Sequence, residues 1–353
     1  MYTKKKYSKQ DLLRWTRREL IFFVIYASIL TILFELFELQ WLRLPWTPLA
    51  LIGTAVAFLI GFQNNAAYGR IWEARKIWGG IVNDSRTFGI MVQDMITNEY
   101  AKEKKGDEYL LSQKKIVIHR HVAWLTALRH SMRGERPWES FKHAKVNQAW
   151  IEMMHIPEWI HSLEEELKSL LSQEELDLVM TKTNKPATIL RLQSNHLRAL
   201  KESGFIWEFS FLELESKISE LMTHQGKSER IKNFPYPRQF ATLGYDFVNM
   251  FIFLLPLGIV PEFSKIGLNM VTDYPLVGQL FVWLGVPFSA LISWVFNTMQ
   301  RIGVTGENPF EGSANDVPIS TISRGIEIDL REMLEESKEQ IPDQFPVVYD
   351  IQM

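Results

Sequence analysis

Two stretches of this chain contain no Asp, Glu, Lys or Arg: Leu44 to Gly69, 26 residues, and Tyr274 to Gln300, 27 residues. About 20 apolar helical residues cross a hydrocarbon core, so each run is long enough to span a bilayer with tilt. Two shorter charge-free runs accompany them, Leu20 to Phe34 and Phe247 to Pro261, 15 residues each. At about 1.5 Å per residue these reach only about 22 Å. To span, they need Glu35, Glu38 or Asp246 at an interface or inside the protein. Taken alone they also read as core helices of a soluble protein. Beside the long runs, the pattern predicts four membrane helices in two pairs.

The flanks orient them. Lys4, Lys5, Lys6, Lys9, Arg14, Arg17 and Arg18 precede the first run, whereas the connector Glu38 to Pro48 carries only Arg43 and the one after the third helix only Lys265. Cationic loops stay inside, which predicts a cytosolic N-terminus, middle and C-terminus. Leu20 to Phe34 lacks a small-residue cleavage site and runs into Glu35, so it does not read as a cleaved signal peptide. The expected organisation is 1–69 (N-terminal segment and first helix pair), 70–238 (cytosolic helical region), 239–300 (second pair) and 301–353 (cytosolic turn and helix). Lys+Arg (39) nearly balance Asp+Glu (41), which argues against a nucleic-acid partner. The absence of Cys excludes a disulfide scaffold, a thiolate metal site and a catalytic Cys.

From Arg70 to Arg238 the chain is charged and helix-forming. Leu and Ile recur at three- and four-residue spacing in Ser162 to Met180 and Phe209 to Thr223. Asn184-Lys185-Pro186 reads as a break before a new helix. Gly303 to Gly312 reads as a turn-rich link, and Val317 to Glu336 as a last helix opened by Pro318. No alternating strand pattern or internal repeat is present, and the fold class is all-α. All 8 His lie in the middle region: His119, His121, His130, His143, His155, His161, His196 and His224. His119 and His121 are two apart, so on a helix they face different ways and do not form a metal pair. Gly226-Lys227-Ser228 resembles the end of a phosphate loop, but Leu221 stands where that loop needs Gly; an exposed turn is the better reading. No constellation supports an enzyme.

The second span is the informative one. Thr47 and Pro48 suit a helix start. Gly53, Ala57 and Gly61 recur at spacing four, a small-residue ridge that lets another helix approach closely. Thr54, Phe58 and Phe62 form the neighbouring stripe, with Gln63, Asn64 and Asn65 beyond its inner end. Either the Phe residues face lipid while the small face packs, or copies of this helix ring an axis and the Phe residues make a dry constriction with amides at its mouth. Spacing alone leaves both open.

Arg14-Trp15, the stretch Gly61-Phe62 to Arg70 with Trp72-Glu73-Ala74-Arg75, the turn Glu307-Asn308-Pro309-Phe310, and the segment Pro318 to Leu330 (PISTISRGIEIDL) together resemble the bestrophin family, its prokaryotic branch above all, over nearly the whole chain. That resemblance implies a homopentameric ion channel with four membrane helices per subunit. The family carries chloride foremost, while some bacterial relatives prefer monovalent cations such as sodium or potassium. It implies a hydrophobic neck at Thr54, Phe58 and Phe62, where Thr54 departs from the usual aliphatic residue. It also implies a second, cytosolic constriction in Pro186 to Leu190, placed at Ile189. Animal members hold calcium at acidic residues after Asn-Pro-Phe. Here that run is Glu311-Gly-Ser-Ala-Asn-Asp316, too poor in carboxylates for a cation that wants about six to eight oxygens, so no calcium cofactor is expected. Glu35 and Glu38 belong either to an outer vestibule or to the headgroup region. The expectation is a multi-pass anion channel of the cell membrane, the inner membrane in a bacterium. A cation channel of the same architecture and a non-conducting scaffold are the alternatives.

Overall fold

The structure, a computed structural model, describes residues 1–139, 141, 142, 151, 152 and 154–353, apart from the side chains of Lys9, Gln10, Asp11 and Arg14. His143 and the side chain of Arg14 therefore lie outside the described residues. In chain order the helices are α1 (Lys9–Glu35), α2 (Trp46–Met95), α3 (Asp107–Arg133), α4 (Pro157–Ile160), α5 (Leu163–Leu167), α6 (Gln173–Met180), α7 (Lys185–Glu202), α8 (Glu208–Asn233), α9 (Arg238–Met270), α10 (Pro275–Leu280), α11 (Gly285–Gly306) and α12 (Ile319–Met333). Single-turn 3-10 segments lie at Gln40–Leu42 and Phe281–Leu284. Among the described residues extended pairing is limited to isolated bridges, Tyr2 with Ile351 and Val348 with Ile351.

The chain divides into two compact units. One comprises Met1–Thr3, Arg70–Phe234 and Asn308–Met353; the other comprises Lys4–Gly69 and Pro235–Glu307. Among the described residues three helical stretches are long and apolar enough to cross a membrane: Gln40–Met95, Arg238–Met270 and Pro275–Gly306. Several local expectations are corrected. The segment Ser162 to Met180 is two helices, because Ser162 and Ser172 each form a capping box, with Glu165 and Glu175 respectively, and each box starts a helix. Gly226 to Ser228 lies inside α8, where Ser228 is buried. The helix before the Asn308-Pro309 turn continues to Gly306, into the expected link, and stops where Pro309 disfavours helical geometry at the residue before it.

The core of the first unit is built on α3. From Val117 to Met132 it is buried on nearly every side, as a helix enclosed by others must be. Around it pack Ile77, Trp78 and Phe88 of α2, Ile189 and Leu197 of α7, Leu221 of α8 and Leu330 of α12. Trp124 is fully buried and its indole N–H donates to Gln225 Oε1 at 3.0 Å. In the second unit, Phe23 of α1 and Val56 and Ile60 of α2 pack with Val248, Ile252 and Leu255 of α9. Helix α9 contains Pro256 and Pro261. Pro261 has no N–H for the carbonyl of Leu257 four residues before it. That carbonyl accepts instead from the Leu44 N–H at 2.9 Å, which pins the α1–α2 connector to α9.

Candidate pore-lining face and ion-contacting residues

Within the membrane-like unit, α2 buries Gly53, Val56, Ile60, Gln63 and Ala67 and exposes Thr54, Ala57, Phe58, Gly61, Phe62 and Asn65. The small-residue ridge expected to pack as one surface is thus split. At Gly53 a Cβ would meet the Phe251 ring at 2.8 Å, so glycine permits that approach, whereas Gly61 has nothing within 4 Å. Four residues turn a helix about 40° past a full turn, so positions 53, 57 and 61 fan from the packed face onto the open one. The second stripe lies wholly on the open face: Phe58 is 66% exposed and Phe62 70%, and their ring centroids are 6.5 Å apart. Thr54 is exposed as well, but its hydroxyl donates back to the Ala50 carbonyl at 2.9 Å, so its polar group is used within the helix.

The three amides beyond the stripe separate. Gln63 is buried and its Nε2 donates to Glu307 Oε1 at 2.8 Å. Asn64 Nδ2 donates to the Met299 carbonyl at 3.1 Å, in a space that only Gly303 leaves open. Both are committed to packing against α11 and its C-terminal residue, which corrects their expected place at a mouth; Asn65 alone shares the exposed face of Phe62. Glu35 and Glu38 are both exposed at the end of α1, and Glu38 takes a left-handed backbone, φ 53°.

Ile189 is corrected too. Asn184 caps α7 by accepting from the Ala187 N–H at 3.1 Å, and the first turn turns Pro186, Ile189 and Leu190 inward. Ile189 is 1% exposed, a core side chain that anchors the helix and cannot line a passage.

The run after Asn-Pro-Phe is closed around Asp316. Its Oδ1 accepts from the N–H groups of Phe310 (2.8 Å) and Val317 (2.7 Å), and its Oδ2 from the Gly312 N–H (2.8 Å) and Arg133 Nη1 (2.9 Å). Glu311 Oε1 accepts from the Phe141 N–H at 2.7 Å. Nearby, Arg129 pairs with Glu158 and Glu166, and Lys232 with Glu139. Burial pushes the Glu158 carboxyl upward, but the Arg129 and Arg133 guanidiniums and the Ser320 hydroxyl outweigh it and hold it below the usual carboxylate range. This network escaped sequence analysis because its partners are far apart in the chain and form no motif. His119 faces Glu336 Oε1 at 2.8 Å, while His121 is buried against Ser85 Oγ at 2.9 Å, and burial lowers its pKa to about 3. Among the described residues no three His, Asp or Glu side chains converge as a metal site.

The profile of the bacterial/fungal bestrophin family matches residues 10–332. The voltage-dependent anion channel-forming protein YneE of Salmonella typhi is 25% identical over 349 residues, covering 93% of this chain and 95% of its own length. A voltage-dependent anion channel-forming protein of Ralstonia nicotianae is 24% identical, covering 83% and 79%. The crystal structure of a bacterial bestrophin homologue from Klebsiella pneumoniae shares the fold, with a TM-score of 0.68 at 22% identity over 90% of this chain and 98% of that one. The chain belongs to the bacterial and fungal bestrophin family, whose members are ion channels and not enzymes.

Proposed function

We propose that this protein is a homopentameric anion channel of the cell membrane, with chloride as a permeant ion. Four spans per subunit come from α1, α2, α9 and the stretch from α10 to α11, and copies of α2 ring the axis with Thr54, Phe58 and Phe62 as a dry neck. One observation carries the reading. Within the apolar part of the α2 span only 22% of the residues are buried, against 50% in α9 and 39% in Pro275–Gly306, and the two largest side chains of its open face are rings. A face of that kind needs either lipid or other copies of the chain. The alternation of Ala57 and Gly61 with Phe58 and Phe62 suits close approach of helices around an axis better than a uniform lipid face. Apolar constrictions gate by dewetting, and carry no formal sign. The anion assignment follows the Salmonella and Ralstonia relatives, which are voltage-dependent anion channel-forming proteins.

The amino terminus and the carboxyl terminus lie in the cytosol, and in a bacterium the membrane is the inner one, since outer-membrane spans are barrels. Calcium has no part in gating in this reading. Four donors already fill the Asp316 carboxylate, one of them a guanidinium standing where a cation would have to be admitted. The test is the reversal potential of purified protein in planar bilayers under a potassium chloride gradient. Reversal near the chloride potential is expected. Reversal near the potassium potential would replace this reading by a cation channel of the same architecture and turn attention to the exposed Glu35 and Glu38.

A further inference from the structure

Only two basic residues occur in the short connectors at the Glu38 end of the spans, Arg43 between α1 and α2 and Lys265 in the last turns of α9. They are far apart in sequence, yet both line one cavity of about 500 Å³. The cause is local. Because Pro261 leaves the Leu257 carbonyl without its helical donor, the Leu44 N–H takes it, and the residue beside Leu44 is set down next to the end of α9. Gln40 and Ser264 add hydrogen-bonding groups to the wall, and Glu262 is the one acidic side chain there. Arg43 and Lys265 have no carboxylate partner among the described residues, so the cavity holds two uncommitted cations against one anion.

Its other wall is apolar. Phe34, Leu44, Pro45, Pro261 and Leu268 form it. A cationic chamber with an apolar wall at the end of membrane helices has the amphipathic order of a phospholipid. A single halide would be lost in a space of this size, whereas a phosphodiester can take charge-assisted hydrogen bonds from both cations. Arginine in particular offers a planar fork to phosphate oxygens.

We propose that this cavity binds the phosphate of an anionic phospholipid headgroup, with Arg43 and Lys265 as its cationic contacts, Gln40 and Ser264 as hydrogen-bonding contacts and the Phe34–Pro261 wall against the apolar part of the lipid. The site is independent of which ion the channel carries.

The test is thermal melting of the full-length protein in neutral detergent, titrated below micelle formation with dihexanoyl-phosphatidylglycerol, dihexanoyl-phosphatidylcholine or inorganic phosphate. A saturable rise in Tm is expected with phosphatidylglycerol, as for any ligand that binds only the folded state. In Arg43→Gln/Lys265→Gln the half-saturating concentration should rise at least about tenfold, the order expected when charge-assisted contacts are lost. Both side chains are exposed, so the unliganded melting point should not move. Should it move, Glu262→Gln provides the second reading, because removing the like charge should tighten phosphatidylglycerol binding. Equal shifts from the two lipids, or a double variant that saturates like the parent, would overturn the proposal. An equal shift from inorganic phosphate at the same concentration would overturn the lipid assignment in favour of a free anion.

Discussion

The two units of this chain solve opposite problems with similar helices. In the unit built on α3, three large rings fill the centre, Trp78, Phe88 and Trp124, all fully buried, while Trp207 and Phe209 stay exposed at its surface. Several charges are buried there with partners, as in Arg133 with Asp316 and Arg120 with Glu175 and Gln193. In the other unit Phe58, Phe62, Phe240, Phe253 and Leu291 are exposed, while the residues that pack are often small, such as Gly53 and Ala290. The first pattern is what water imposes, where apolar burial is the driving term. The second is what lipid imposes, where apolar surface faces outward at no penalty and association relies on close packing.

The sharpest way to break that comparison is to remove one charge from the buried network. Glu158→Gln leaves Arg129 and Arg133 without their shared carboxylate in a dry site. Breaking one partner of such a network destabilises by about 3–5 kcal/mol. Melting of the full chain should show the first unit unfolding well before the membrane helices. A variant that melts with the parent would mean the network is solvated and the contrast between the units is weaker than their burial suggests.

Acid acts on the same unit with a smaller amplitude. Burial lowers His121 to about 3 and His196 to about 4, so both are neutral in the fold, whereas unfolding frees each to take a proton near its ordinary pKa of 6.5. A group depressed in the folded state supports the fold above its unfolded pKa and ceases to do so as pH falls toward its folded one. Stability should therefore decline from about pH 6.5 downward, by about 2–3 kcal/mol from His121 alone over two pH units. The double variant His121→Leu/Ser85→Ala removes the titrating group together with its partner. Its melting temperature should depend less steeply on pH between 6.5 and 4.5; an unchanged slope would sink the assignment.

Most of the helical framework is legible in local sequence because charge-free length and three-to-four spacing are local properties. The capping boxes at Ser162 and Ser172 were legible as well, in the Ser-x-x-Glu pattern, although Leu and Ile spacing alone runs the two helices together. The continuation of α2 from the charge-free run to Met95 was hidden, since charges change the surroundings of a helix without ending it. The ion network was out of reach: Arg133 and Asp316 are 183 residues apart, and no window contains both. For the candidate site, spacing picked out the stripe of Thr54, Phe58 and Phe62. It could not separate Gln63 from Asn65, because the difference lies in which neighbour, Glu307, happens to be opposite. Ile189 failed for a related reason, as an apolar residue in a first turn looks alike whether it faces a core or a passage.

In the membrane-like unit, Pro261→Ala probes the backbone bond from Leu44 that ties the connector to α9. Alanine supplies the missing N–H to the Leu257 carbonyl and so displaces that of Leu44. The loss is one hydrogen bond, about 1 kcal/mol, against a small gain in helix continuity. Global melting should hardly move, while amide exchange at Leu44 speeds up. Exchange that stays slow would show that packing, and not the proline, seats the connector.

The smallest change in stability belongs to the open face of α2. Phe58→Ala and Phe62→Ala each remove a ring that is about two-thirds exposed in the subunit, so the packing lost within one chain is slight, well under the 3–5 kcal/mol expected of a buried Phe. Melting of the subunit fold should shift by no more than about 1 kcal/mol. If copies of α2 surround an axis, the same variants widen a dry constriction, and single-channel current or open probability should rise while the assembly keeps its size on a sizing column. If the face meets lipid, current and melting will both stay near those of the parent. A large loss of stability with dispersal of the assembly would instead make these rings glue between copies and not a gate. Stability and current thus separate the three surroundings that one exposed Phe can have in a membrane.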